Sequence, residues 1–176
     1  MRPMSKPISH AVQSPHVLDI ISHNTAQTVR FGQRLGELLR AGDLLLLLGE
    51  FGTGKTHLAK GIAQGLGSAD MVNSPSFVLI NQYRAGPQHG GMPIYHADLY
   101  RIEDPDELAG IGLEEAWSGD GVCLIEWAEQ AGERLPQQHL AIYLQHLRET
   151  KRTLRLAPRG ERYQQLVAEF KKTAFA

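Results

Sequence analysis

Apolar and polar residues follow one another along the chain in patterns that predict several strands. Residues 44–48 are five consecutive leucines, which is typical of a strand buried on both faces of a parallel sheet. Residues 121–127, GVCLIEW, predict a second buried strand. Two longer stretches, 76–101 and 140–158, each contain two strand-like runs separated by a turn, so they predict two β-hairpins.

Helical periodicity separates these strands. Asn24, with a glutamine three residues later, resembles a helix N-terminus, and apolar residues at helical spacing follow as far as Gly42. Further helical segments are predicted from about 56 to 66, as a short acid-rich connection over 104–118, and at the end of the chain over 161–172. This order of strands and helices predicts an α/β fold with a mixed central sheet.

Length and composition indicate a single domain without a membrane segment. The chain has 176 residues, of which 42% are hydrophobic and 21% are charged, values typical of a globular domain. We expect residues 17–176 to form that domain, and residues 1–16 to be a disordered leader because they combine prolines with no apolar segment. No apolar run approaches the roughly 18 residues that span a membrane. The only cysteine, Cys123, excludes an intramolecular disulfide and suggests a cytoplasmic protein.

Charge is unevenly distributed. The net charge is −1, but residues 148–172 contain eight Lys or Arg residues against three Glu residues, so this segment alone is +5. Such a segment could contact a nucleic acid such as tRNA or an acidic protein. It could equally be a solvated surface, because no aromatic stacking platform is interleaved with its charges.

A glycine-rich loop directly follows the leucine strand. Residues 49–56, GEFGTGKT, match the phosphate-loop pattern G-x-x-x-x-G-K-[ST] between a buried strand and a helix. Gly52 and Gly54 would let backbone N–H groups surround a phosphate chain. Lys55 would contact the outer phosphates, and the Thr56 hydroxyl would ligate Mg²⁺. The sequence therefore predicts a three-layer P-loop NTPase-like fold that binds a nucleoside triphosphate. The competing interpretation is a glycine-rich turn with an incidental lysine.

Two carboxylates could serve the metal ion of such a site. Glu126 ends the apolar run 122–125, whereas Asp98 ends the weaker run 94–97, whose alternation suggests an edge or half-exposed strand. We assign the metal to Glu126 and leave Asp98 to position water or support the metal indirectly. In the alternative interpretation, neither residue serves a metal. Glu126 would be an exposed acid at a strand end, and Asp98 would cap a turn or pair with Arg101.

Other nucleotide-dependent classes fit less well. The chain has no N-K-x-D-like sequence for reading guanine, as GTPases of the usual kind require, and no transporter-type signature accompanies the loop. A small-molecule kinase would bring an arginine-rich lid, but the arginines cluster in a C-terminal segment with strand-like patterning.

Five motifs occur in the order found in one protein family. They are GEFGTGKT, SPSF (74–77), HADLYR (96–101), GIGLEE (110–115) and LIEW (124–127). Over about residues 20–150 the chain resembles TsaE (YjeE), the bacterial P-loop ATPase of tRNA threonylcarbamoyladenosine biosynthesis. The resemblance implies an ATP- and Mg²⁺-dependent protein with weak hydrolysis on its own. It also implies partners TsaD and TsaB, which modify the adenosine beside the anticodon in tRNAs that read codons beginning with A. Two alternatives stay open: a nucleotide-sensing scaffold with incidental hydrolysis, and a small-molecule kinase.

The resemblance also implies roles for individual residues. Nucleotide contacts are implied for Thr25, Phe51, Gly52, Thr53, Gly54, Lys55, Thr56 and Trp127. The implied metal ligands are Thr56 and Glu126, and the residues implied in hydrolysis are Lys55, Asp98 and Glu126. The SPSF motif would be a switch-like loop near the γ-phosphate, and the region around Thr25 would touch the adenine. Phe51 and Thr53 are bulkier than the family's usual leucine and alanine.

Overall fold

The structure is a computed structural model that describes residues 15–75 and 79–175. The predicted leader lies almost entirely outside these ranges. So do Ser76 and Phe77, the second half of the SPSF motif.

The strands of the described residues form one mixed, seven-stranded sheet. Their bounds are Leu18–Ser22 (β1), Leu44–Leu48 (β2), Ile80–Arg84 (β3), Pro93–Asp98 (β4), Val122–Glu126 (β5), His139–His146 (β6) and Arg152–Arg159 (β7). Their spatial order is β1-β7-β6-β2-β5-β4-β3. The central strands β6, β2, β5 and β4 are parallel, and the outer pairs are antiparallel. The carboxyl ends of β2, β5 and β4 therefore meet at one edge of the sheet.

Helices connect these strands. The α-helices are Thr25–Gly36 (α1), Lys55–Gly65 (α2), Leu113–Ala116 (α3) and Glu161–Ala174 (α4), and the 3₁₀ helices are Pro87–His89, Pro105–Leu108 and Ala128–Arg134. The predicted start of α1 is confirmed, because the Asn24 side chain accepts a 2.8 Å hydrogen bond from the backbone N–H of Gln27. The helix ends at Gly36 rather than at Gly42. No helix in the described ranges is long and apolar enough to cross a membrane.

The sheet separates two apolar layers. Helices α1, α2 and α4 pack on one face together with Leu45 and Leu47 of β2. The shorter helical segments over 105–116 and 128–134 cover the other face, to which β2 contributes Leu44 and Leu46. The leucine strand is thus buried on both faces, and the predicted three-layer α/β fold is confirmed.

The two hairpins, the second buried strand, the acid-rich connection and the closing helix are also present where predicted. Strand β1 was missed, because its five residues mix polar with apolar positions just after the proline-containing leader. The interpretation of β4 as an edge or half-exposed strand was wrong. It lies between β5 and β3, and its polar residues His96 and Asp98 are buried because hydrogen bonds satisfy them.

Glycines bring α1 and α2 into close contact. A Cβ on Gly61 of α2 would lie 2.2 Å from the carbonyl oxygen of Val29 in α1, and one on Gly65 would lie 2.0 Å from that of Gln33. On α1, a Cβ on Gly36 would lie 2.2 Å from the carbonyl oxygen of Ile62. This contact fixes α2, whose N-terminus follows the phosphate loop, against α1.

Candidate functional site

The phosphate loop joins the carboxyl end of β2 to the N-terminus of α2. Gly52 and Gly54 have positive φ angles of 74° and 102°, a conformation that favours glycine. A Cβ on Gly52 would meet nothing closer than 3.8 Å, so glycine serves the backbone conformation here rather than internal space. The buried Thr53 hydroxyl donates to the carbonyl of Glu50 (2.9 Å) and braces the loop from within.

Lys55 is the first residue of α2 and is only 5% exposed. Its ammonium group donates to the carbonyls of Gly49 (2.6 Å) and Glu50 (2.8 Å). It also lies 4.6 Å from the centre of the Trp127 ring, a cation–π contact. Burial lowers the pKa of Lys55, although nearby carboxylates, most strongly Glu126, oppose this effect. The loop thus holds a buried cation at the place where the sequence predicts a phosphate contact.

Glu126 and Asp98 are partners in the β5–β4 register, so the two carboxylates end neighbouring parallel strands. They are 3% and 4% exposed, respectively. The Thr56 hydroxyl donates to Glu126 Oε1 (3.1 Å). The two predicted metal ligands are therefore in contact, and Glu126 is not the exposed acid of the alternative interpretation.

Asp98 connects two segments around the site. Its Oδ1 accepts a 2.9 Å hydrogen bond from the backbone N–H of Tyr100, so it caps the turn after β4. Its Oδ2 accepts a 3.2 Å hydrogen bond from the Ser74 hydroxyl, in the described half of the SPSF motif. Asp98 therefore does cap a turn, as the alternative interpretation held. This does not remove Asp98 from the site, because the same carboxylate lies beside Glu126.

Three aromatic rings cover one side of the loop. Phe51 lies 4.5 Å from Tyr100 and 5.1 Å from Trp127, measured between ring centres, and Tyr100 lies 5.1 Å from Trp127. The rings come from the phosphate loop, the turn after Asp98 and the residue after Glu126. The cluster therefore packs the loop against the segments that carry both carboxylates, while Phe51 stays 62% exposed.

Thr25 lies on the other side of the loop. With Asn24 it lines a cavity of about 370 Å³ that also contains Gly52, Gly54 and Arg152. The Arg152 guanidinium donates to the Gly52 carbonyl (3.3 Å) and to carbonyls of the β6–β7 turn. This cavity joins the start of α1 to the phosphate loop, the arrangement expected if the region around Thr25 touches a base.

A larger cavity, of about 1330 Å³, lies along β6 and the segment after Trp127. It touches the phosphate loop at Gly49, Glu50 and Thr53, but none of Lys55, Thr56, Asp98 or Glu126 lines it. We therefore place the candidate site at the loop and the two strand-end carboxylates rather than in this larger cavity.

The groups at this site fit a magnesium–nucleotide complex. Magnesium in such sites is held by one or two protein oxygens together with substrate phosphates and water. Thr56 and Glu126 supply a hydroxyl and a carboxylate oxygen already in contact. No cluster of three or more His, Cys, Asp or Glu side chains in the described part of the chain could hold a metal on its own. The hydroxyl of Thr56 and the carboxylate of Glu126 are the one or two protein oxygens that such a metal–nucleotide complex takes.

Sequence reasoning missed three side chains of this site. Tyr100 and Arg152 contact the loop or its aromatic cover through the fold, and their spacing along the chain gave no signal. His96 did give one, because it lies two residues before Asp98 on a strand and so shares its face. Its Nε2 lies 2.9 Å from Glu126 Oε1.

Comparison with known proteins identifies one family. Residues 22–154, more than half of the chain, match the model of the family described as threonylcarbamoyl adenosine biosynthesis protein TsaE. The chain is 38% identical to the tRNA threonylcarbamoyladenosine biosynthesis protein TsaE of Bacillus subtilis, over 85% of this chain and 90% of that one. It is 40% identical to the protein of the same name from Mycobacterium tuberculosis, over 68% of this chain and 74% of that one.

A solved structure agrees in fold. The crystal structure of Bacillus subtilis YdiB superimposes with a TM-score of 0.76 at 33% identity, covering 89% of this chain and 95% of that one. The family match spans the phosphate loop, both strand-end carboxylates and the SPSF motif. The chain belongs to the TsaE family.

Proposed function

We propose that the protein is a Mg²⁺-dependent ATPase of tRNA threonylcarbamoyladenosine biosynthesis. Its relatives carry the name of that biosynthesis. One observation carries the ATPase proposal: Glu126 and Asp98 lie side by side at the ends of β5 and β4, and Glu126 contacts Thr56 of the phosphate loop. A protein that only binds a nucleotide needs the loop, but it does not need a second buried carboxylate at this place.

The residues divide the work as follows. The loop backbone and Lys55 bind the phosphates, and the cavity beside Thr25 receives the base. Thr56 and Glu126 hold Mg²⁺, which neutralises charge on the phosphates. Asp98, held by Tyr100 and Ser74, orients the attacking water.

Partner proteins are expected to accelerate hydrolysis. An arginine that reaches the transferred phosphate is worth about 10³–10⁵ in rate. Arg152 contacts the loop, but its guanidinium is bound to four backbone carbonyls. We therefore propose slow hydrolysis by the chain alone and faster hydrolysis when it is assembled with TsaB and TsaD, which act on tRNA.

Two substitutions test the division between the carboxylates. Glu126→Gln should weaken Mg²⁺-dependent ATP binding, because a neutral amide is a poor ligand for a hard dication. Asp98→Asn should leave that binding nearly intact and abolish hydrolysis, since positioning acts on the transition state. The measurements are nucleotide affinity across a Mg²⁺ titration and single-turnover hydrolysis. Glu133→Gln, at an exposed acid in the same 3₁₀ segment that follows Glu126, is the matched control and should change neither.

Loss of metal affinity in Asp98→Asn but not in Glu126→Gln would reverse the two roles. Hydrolysis that is fast in the isolated wild-type chain and unchanged by TsaB and TsaD would contradict the proposed dependence on partners. Binding of ATP without turnover under any of these conditions would favour the nucleotide-sensing scaffold instead.

A further inference from the structure

A buried histidine lies behind the proposed metal ligand. His96 of β4 has no exposed surface, yet it is a polar ring on the face of the sheet that holds the main apolar layer. A buried polar group is costly unless it is hydrogen-bonded. Its Nε2 lies 2.9 Å from Glu126 Oε1, and its Nδ1 lies 3.5 Å from the hydroxyl of Tyr83.

The direction of the first hydrogen bond follows from chemistry. A carboxylate oxygen only accepts, so Nε2 of His96 carries a proton and donates it to Glu126. The same oxygen accepts the hydroxyl proton of Thr56 (3.1 Å). Two donors from different elements therefore hold one carboxylate oxygen, and this fixes the orientation of Glu126 toward the N-terminus of α2.

The contact between Nδ1 of His96 and the Tyr83 hydroxyl connects the buried ring to a residue at the surface. With the ring proton on Nε2, Nδ1 of His96 is an acceptor, so the one proton of the Tyr83 hydroxyl is shared between Nδ1 (3.5 Å) and the backbone carbonyl of Asn73 (3.0 Å). The same hydroxyl accepts from the backbone N–H of Asn73 (3.3 Å). Asn73 is exposed and immediately precedes Ser74, which donates to Asp98. Two adjacent residues at the surface are thus connected to both buried carboxylates: Ser74 directly to Asp98, and Asn73 to Glu126 through Tyr83 and His96.

We propose that His96 is a positioning residue that holds Glu126 for Mg²⁺ and, through Tyr83, couples that carboxylate to the backbone of Asn73. The inference rests on the proposed function, because it assigns His96 a role toward the metal ligand of that site. Any buried histidine needs hydrogen-bond partners, and what points to a role here is that one of them is the proposed metal ligand Glu126.

The test compares two substitutions of His96. Glutamine can place an amide N–H near the position of Nε2, whereas leucine fills similar space without a donor. The readout is the affinity of a fluorescent non-hydrolysable ATP analogue, measured without metal and across a Mg²⁺ titration. His96→Leu should raise the Mg²⁺ concentration needed for tight binding about 10–100-fold, as the loss of a metal ligand's supporting partner does. His96→Gln should stay near wild type, and affinity without Mg²⁺ should be unchanged in both.

The link to Asn73 is tested by removing one hydroxyl. Tyr83→Phe should shift the Mg²⁺ dependence in the same direction as His96→Leu but by less. The matched control is Tyr95→Phe on the same hairpin, because the Tyr95 hydroxyl donates to Asp120 and not to the His96 network. That control should leave the Mg²⁺ dependence unchanged. Equal effects of the two phenylalanine variants would overturn the coupling.

A spectroscopic measurement on the wild-type chain reports the position of the His96 ring proton directly. Nitrogen-15 NMR of labelled histidines should show the His96 ring protonated at Nε2, with the signal assigned by its absence from His96→Gln. A ring protonated only at Nδ1 would overturn the inference, as would equal losses of affinity in the leucine and glutamine variants with and without Mg²⁺. Wild-type binding that never responds to Mg²⁺ would instead refute the proposed function, while the NMR result would still decide the contact between His96 and Glu126.

Discussion

The close contact between α1 and α2 should reverse the usual effect on stability of replacing a helical glycine with alanine. Gly61→Ala should destabilise the protein, although alanine in a helix is favoured over glycine by about 1 kcal/mol. The new Cβ would lie 2.2 Å from the Val29 carbonyl oxygen, whereas real contacts of this kind are essentially never shorter than 3.0 Å. The obstructing atom belongs to the backbone of the facing helix, so no side-chain rotation can relieve the clash.

The magnitude follows from two opposing effects. Forcing an extra methyl group into a close-packed contact costs about 1–3 kcal/mol, and a backbone obstruction places Gly61→Ala at the upper end. Subtracting the helix-propensity gain leaves a loss of roughly 2 kcal/mol in the free energy of unfolding. For a chain of this size that corresponds to a fall in Tm of about 4–8 °C. Nucleotide affinity should fall as well, because α2 must move away from α1 and it carries Lys55 and Thr56.

The assay is urea and thermal denaturation, with nucleotide titration on the same samples. Lys60→Ala is the control, since Lys60 is the exposed neighbour of Gly61 on α2; we expect it to stay within about 0.5 kcal/mol of wild type. If Gly61→Ala is as stable as wild type or more stable, the two helices do not touch through their glycines, and the reasoning is refuted.

Other predictions concern buried polar groups. Burial lowers the pKa of Lys55, so the charged form costs stability at neutral pH, and this cost disappears as pH rises from the lowered pKa toward the ordinary value. Lys55→Met should therefore unfold in urea no earlier than wild type at neutral pH while losing nucleotide binding; a clear loss of stability would refute this. Burial raises the pKa of the Cys123 thiol to about 12, so the native protein should not react with a disulfide reagent at mildly alkaline pH until it is denatured. Arg162 donates two hydrogen bonds to the buried Asp43 (2.6 and 3.0 Å), and Arg162→Met should cost about 3 kcal/mol by leaving that carboxylate unpaired; a change in Tm below 2 °C would contradict it.

The sequence predicted the parts of the fold that depend on local patterns of residues. The leucine strand, the phosphate loop, the helix cap at Asn24 and both hairpins depend on periodicity and turn chemistry within a few residues. Strand β1 was not predictable in this way, because its pairing partner β7 lies more than a hundred residues away and its own residues alternate weakly.

The candidate site likewise contains residues that local patterns predict and residues that only the fold brings together. Glu126 was identifiable because four apolar residues precede it, and Asp98 was placed beside it once β4 and β5 became neighbours. The position of β4 inside the sheet was not predictable, because polar His96 and Asp98 make its sequence resemble an edge. Their burial depends in part on hydrogen bonds with distant residues, Glu126 for His96 and Ser74 for Asp98, and no local pattern predicts those partners. The contact of Arg152 with Gly52 likewise exists only because the β6–β7 turn reaches the phosphate loop.

Three charged side chains are buried at the edge of the sheet where the proposed nucleotide and metal would bind. Lys55, Asp98 and Glu126 are each at most 5% exposed, and burying charge opposes folding unless it is compensated. A nucleotide with its metal would supply negative charge to Lys55 and positive charge to Glu126 and Asp98. Because a ligand that binds only the folded state stabilises it by about 2.7 kcal/mol at a hundred times its Kd, Mg²⁺–ATP should raise the Tm of the wild-type chain. Neither Mg²⁺ alone nor ATP with a chelator should reproduce that rise, since each brings charge of only one sign to the site. An equal rise with metal-free ATP would mean that the carboxylates take no part in binding.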